Sequence, residues 1–183
     1  MKRRTFDLLA SLGGLVIAVA LVVAGLVFQA NADFAKGNVR DQLAAQKIFF
    51  PPADALSAEE KAQPDVVKNA GKQVIDGDQA EVYANDFIGL HLKGSLDGMT
   101  YAELSTASRQ NRDDAELAAK VQTAFRGETL RGLLLTSYAF WTLGAKADQV
   151  ALIFIIGAGL MLILSALGIW HYSRTPKREQ LSL

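Results

Sequence analysis

Residues 8–30 read LLASLGGLVIAVALVVAGLVFQA, 23 consecutive positions without a charged side chain. A bilayer core of about 30 Å needs about 20 apolar helical residues at a rise of about 1.5 Å each. The run meets that length. It follows a basic start, Lys2-Arg3-Arg4, and ends in Ala30-Asn31-Ala32, which has the A-x-A form of a signal-peptidase site. The two readings make different proteins. The apolar region of a secretion signal spans only about 7–15 residues, so the length favours an uncleaved anchor, with Ala30-Asn31-Ala32 as the outer end of its helix.

A second charge-free run extends from Val150 to Trp170. With Tyr172 included it reads as a second span over residues 150–172. The expected order is a tail at 1–7, a span at 8–30, a domain at 31–149, a span at 150–172 and a tail at 173–183. Net charge is zero, with 19 basic and 19 acidic residues, yet the tails are biased. Lys2, Arg3 and Arg4 stand against Asp7, and Arg174, Lys177 and Arg178 against Glu179. Basic residues flanking spans stay cytoplasmic. Both tails are therefore expected inside a plasma membrane and the domain outside, with Trp170 and Tyr172 in the inner interfacial belt.

The expected fold class is all-α. Ser57-Ala58-Glu59-Glu60 and Thr100-Tyr101-Ala102-Glu103 fit the capping box, in which a hydroxyl and a later carboxylate satisfy orphan N–H groups reciprocally. Asp78, in Asp78-Gln79-Ala80-Glu81, and Asn111 are further cap candidates, Asn111 ahead of the acids Asp113, Asp114 and Glu116. Helical spacing links Tyr83, Phe87 and Leu90, then Leu117, Val121 and Phe125, and also Val66, Val67, Ala70 and Val74. Breaks are expected at Pro51-Pro52, Gln63-Pro64, Asp76-Gly77, Gly94 to Gly98 and Gly127. The first span is expected to run on as helix to about Gln46.

Residues 130–143, LRGLLLTSYAFWTL, are strongly apolar but short, and contain Arg131. Runs of this length are core helices or interfacial segments rather than spans. Tyr138, Phe140 and Trp141 are residue types that favour a membrane interface. The stretch reads either as a membrane-proximal helix, continuous with the second span, or as a core helix of the domain.

Chemistry is limited by what the sequence lacks. There is no cysteine, so disulfides, metal–thiolate sites and a cysteine nucleophile are excluded. His91 and His171 fall on opposite sides of the bilayer in the expected topology, and a lone histidine needs a nearby partner to act as a base. Asp76-Gly77-Asp78 opens like a calcium loop but lacks the later ligands. No phosphate loop, G-x-S-x-G elbow or H-E-x-x-H occurs, and no basic stripe suits nucleic acid. The reading therefore assigns no catalytic, cofactor-binding or metal-ligating residue and no cofactor. Small residues recur at helix-packing spacing: Ala10, Gly14 and Ala18 in the first span, Gly157, Ser165 and Gly168 in the second.

Three stretches, MKRRTFDLLASLGGLVIAV (1–19), LRGLLLTSYAFWTLG (130–144) and GIWHYSRTP (168–176), together resemble a family of small actinobacterial membrane proteins. The resemblance covers most of the chain and implies two transmembrane helices around a helical extracytoplasmic domain. It implies no activity. Similar chains have carried the label of an aromatic ring-opening dioxygenase, but extradiol cleavage resembles two-His-one-carboxylate iron chemistry, which two histidines on opposite sides of a bilayer cannot supply.

The expected function is non-enzymatic: an accessory or scaffold subunit, or a self-associating envelope protein. Its partners would be membrane lipids and another membrane protein or a second copy. The rival is a lipid- or small-molecule-binding sensory ectodomain, with Phe49, Phe50, Phe87, Tyr138 and Trp141 as candidate pocket residues. An enzyme would require a cleft that brings His91 within about 3 Å of an outer carboxylate.

Overall fold

The computed structural model describes residues 3–176. Lys2, Lys177, Arg178 and Glu179, which entered the charge argument, lie outside the described residues. The fold is all-α. Helix α1 covers Arg3–Gln46; α2, α3 and α4 cover Ala58–Lys61, Pro64–Asn69 and Gly77–Val82. A π-helical turn, Tyr83–Ile88, leads into α5, Gly89–Ser95; α6 is Tyr101–Gln110 and α7 is Ala115–Arg174. The chain divides into two compact units: residues up to Phe34 with those from Gly144 onward, and Ala35–Leu143.

In the unit Ala35–Leu143, the ends of the elements follow from local chemistry. Helix α1 stops where Lys47 takes a left-handed φ of 53°, and Gln73 Nε2 donates to the Ala44 carbonyl at 2.8 Å. The Pro51-Pro52 link beyond it is extended because proline restricts its own φ and disfavours helix in the residue before it. Here Ile48–Pro51 pairs with Gly71–Val74 through Phe50 N–H to Lys72 O and Val74 N–H to Ile48 O, both 2.9 Å. Among the described residues this is the one antiparallel bridge, Phe49 with Gln73, and no strand forms.

Both capping boxes are present, on Ser57–Glu60 and Thr100–Glu103. Four expectations differ. The cap of α4 is Asp76, whose Oδ1 accepts the Gln79 N–H at 2.8 Å, while Asp78 lies in the first turn of that helix. Helix α3 ends at Asn69, because Gly71 turns the chain at φ 72°; Val74 belongs to the extended pair rather than to a helix with Val66. Asn111 closes α6, and Asp114 caps α7 by accepting the Leu117 N–H at 2.9 Å. Gly127 breaks nothing. It lies inside α7, where a Cβ would run into the Leu92 side chain, so it allows α5 to pack closely.

The main core gathers Val39, Leu43, Phe50, Val66, Val74 and Leu134, with Trp141 half-buried against it. A smaller cluster of Leu92, Leu96, Leu104 and Ala124 joins α5, α6 and α7. Residues 130–143 thus carry a core face on Leu134 and an exposed face on Leu130, Leu133 and Phe140.

In the other unit, the first part of α1 and the last part of α7 run antiparallel. Asp7 Oδ2 meets His171 Nδ1 at 3.0 Å at one end, and Gln29 Nε2 donates to Asp148 Oδ1 at 3.0 Å at the other. Between these polar rungs the two helices are long and apolar enough to cross a membrane.

Candidate functional site

The site most suited to a ligand lies in the unit Ala35–Leu143 and starts from a backbone irregularity. In the π-helical turn, the Gly89 N–H bonds to the Ala84 carbonyl, five residues back. This widened turn leaves carbonyl capacity unused by an ordinary helix, and such turns concentrate at functional sites. Arg131 of α7 supplies the second donor: its Nε bonds Ala84 O at 3.0 Å, its Nη2 reaches Asn85 Oδ1 at 3.2 Å, and its Nη1 pairs with Glu128 at 3.0 Å. The charged residue in the apolar stretch 130–143 is thus a clamp between α7 and the turn.

The turn orients an aromatic ladder. The Tyr83 ring meets Phe50 edge-on at 5.0 Å and Phe87 at 4.8 Å; Phe87 meets His91 at 4.5 Å. Burial raises the Tyr83 phenol above its ordinary pKa of 10.0, so the hydroxyl stays protonated and can donate. Beside Tyr83 opens a cavity of about 750 Å³. Leu43 and Ile48 form one wall, Tyr83 and Ile88 the second, and Leu133 and Leu134 the third. Gln46, Thr136 and Ser137 add uncharged polar groups. The Thr136 and Ser137 hydroxyls already donate to the Gly132 and Leu133 carbonyls, at 2.8 and 3.2 Å. Tyr83 and Gln46 are therefore the polar groups best able to orient a ligand. Among the described residues, no Asp, Glu, Lys, Arg or His side chain lines this cavity.

The aromatic residues expected to form a pocket lie elsewhere. Phe50 is fully buried in the core, Phe87 belongs to the ladder, and Phe49 is exposed. The Trp141 side chain rests against Gly77, with Lys36 Nζ 5.5 Å from its ring centre, so its ring packs the domain itself. Tyr138 is half-buried and Phe140 exposed. The cavity is aliphatic because Leu43 of α1, Ile48 just beyond it, Ile88 of the π-helical turn and the leucines of α7 converge on Tyr83, a meeting of distant segments that helical spacing cannot reveal.

His91 has a partner. Its Nε2 stands 3.0 Å from Glu60 Oε1, and the Glu60 side chain is only 6% exposed. The other carboxylate oxygen accepts the Ser57 N–H at 2.6 Å. That backbone bond, with the Ser57 hydroxyl and His91 beside it, holds the Glu60 pKa below its ordinary 4.5 against the effect of burial. The separation matches the distance expected of an enzyme, a reading that also called for a cleft around the pair. Glu60 here both caps α2 and joins it to α5, which is a structural use of the pair.

In the two-helix unit, the small residues fall at the contact. Gly14 lies against Ser165, Gly168 against Ser11, and Gly157 faces Leu21 at a Cβ distance of 3.5 Å. Ala18 and Ser165 are buried, with Ala151 and Ala158 of α7. Ala10 is exposed beside the contact, and Ser11 occupies the position next to it. Trp170 and Tyr172 lie at the rung that carries Asp7, where Arg174 stacks on Trp170 at 4.6 Å and Arg4 on Tyr172 at 4.5 Å.

No protein-family model, curated protein or solved structure matches the chain.

Proposed function

We propose that this chain is a two-pass plasma-membrane protein, with both tails cytoplasmic and the helical domain outside, acting as a non-enzymatic accessory or scaffold subunit. The observation that carries the reading is exposure. In the most apolar 18-residue stretches of α1 and α7, only 22% and 17% of residues are buried. Val16, Val19, Ile153 and Ile163 are among those left open. Soluble proteins rarely present apolar surface on that scale, and lipid is the cover that fits two helices of this length.

Four further features support it. From Asp7 to Gln29 the helix rises roughly 33 Å at about 1.5 Å per residue, close to the bilayer core. Arg3, Arg4 and Arg174 cluster at the Asp7–His171 rung, with the stacked Trp170 and Tyr172, as expected for a cytoplasmic interface. Ala30-Asn31-Ala32 sits inside α1, and Asn31 Nδ2 donates to Val27 O at 2.7 Å, which favours an uncleaved anchor. The resemblance to small two-span membrane proteins points the same way.

The absence of cysteine makes the test clean. Thr106→Cys and Ser173→Cys are treated with a membrane-impermeant maleimide on intact cells. Labelling of the first alone is expected. Labelling of both, or of the second alone, would end the topology. Native mass spectrometry after gentle extraction then reads the scaffold role: a copurifying chain or a homo-oligomer is expected, and a bare monomer in several mild detergents contradicts it.

A further inference from the structure

We propose that the cavity beside Tyr83 binds a neutral long-chain lipid, its acyl chain against the aliphatic walls and its uncharged hydroxyl head at Tyr83 and Gln46. The volume, about 750 Å³, lies within the range of sites that enclose small ligands, about 300–1,000 Å³. The lining selects the chemistry. Leu43, Ile48, Ile88, Leu130, Leu133 and Leu134 offer apolar contact, and Leu130 and Leu133 are 51% and 63% exposed.

Along α7 the lining runs from Leu130 to Ser137, about 10 Å by helix rise, so the walls follow an extended chain rather than a flat ring. A charged head is disfavoured, because among the described residues no charged side chain lines the cavity to compensate a desolvated carboxylate or ammonium. The Tyr83 phenol and the Gln46 amide match a hydroxyl, since together they provide a donor and an acceptor. Arg131 holds the wall in place: with its Nε on Ala84 O, the π-helical turn keeps Tyr83 and Ile88 on the cavity side. The site lies wholly between residues 43 and 137, so it stands or falls separately from the membrane reading.

The test uses the full chain in mild detergent and a long-chain alcohol carrying a photoreactive diazirine, followed by digestion and peptide mass mapping. Cross-links are expected on peptides containing residues 43–48, 83–88 and 130–137. An unlabelled long-chain alcohol should displace the probe, and an ionised long-chain carboxylate should not. Tyr83→Phe is expected to weaken labelling about threefold to tenfold, the worth of one hydrogen bond. Leu133→Trp, at an exposed position, should fill the cavity and abolish labelling; Thr136→Phe gives a second, independent block. Labelling confined to residues 8–30 and 150–172 overturns the proposal. So does labelling of the cavity peptides that both blocking variants leave unchanged, or equal competition by the carboxylate.

Discussion

Glu60 shows how one side chain can serve two elements. It closes the capping box on Ser57 and meets His91 from its other oxygen. The box was legible, because S-x-x-E is a local pattern. The His91 contact was not, since the two residues are 31 positions apart and neither carries a signal of the other. The consequence is a pH dependence with a definite sign. A carboxyl whose pKa is lowered by folding contributes stability above its unfolded value near 4.5, and that contribution disappears as pH falls through the lower folded value. Thermal unfolding of the parent should therefore drop between neutral pH and acid by more than that of Glu60→Gln, in which this titration is gone. Parallel curves for the two proteins would refute the assignment. Gly77 gives a second expectation at this scale. A Cβ there meets the Trp141 side chain near its backbone, so Gly77→Ala should cost about 1–3 kcal/mol in chemical denaturation through overpacking.

At the level of the element, the π-helical turn depends on Arg131. Arg131→Met removes the donor to Ala84 O and the link to Asn85. Hydrogen bonds to a charged group contribute about 1.5–3 kcal/mol. Amides of Tyr83–Gly89 should then exchange with solvent about tenfold to hundredfold faster, read by hydrogen–deuterium exchange, while α6 amides are unaffected. The spacing of Tyr83, Phe87 and Leu90 was read as an ordinary helical face, and a widened turn shifts that register without changing the residue types. The same limit explains Gly127. Glycine punctuates most helices, but at this position the gain is the approach of Leu92, and only the packed structure shows it. By contrast, the end of α1 near Gln46 was legible, because the Pro51-Pro52 link and the apolar run before it are both local.

For the molecule as a whole, fold class was the most readable property and the cavity the least. Two charge-free runs and a series of caps announce helices by themselves. The cavity needs residues 43, 83 and 133 to meet, which is set by tertiary packing. The contact between the apolar parts of α1 and α7 supplies a paired test. Gly14→Leu drives a side chain into Ser165, whereas the neighbouring Gly13 has nothing within 4 Å of its Cβ position. In a detergent titration followed by circular dichroism, Gly14→Leu should lose about 1–3 kcal/mol and Gly13→Leu almost nothing. Equal losses would show that the small residues do not define the contact.

The two polar rungs join residues 164 and 119 positions apart in the chain. On the membrane reading this sets an order of events during synthesis. The first helix enters the bilayer long before its partner has been translated. At about 5–20 residues per second, the ribosome needs roughly 6–24 s to pass from Gln29 to Asp148. Throughout that interval Ser11, Gly14 and Ala18 face lipid with nothing of their own chain to pack against. A nascent protein with such an interval can be captured by another helix before it closes on itself, so the choice between partners is made by timing as well as by affinity.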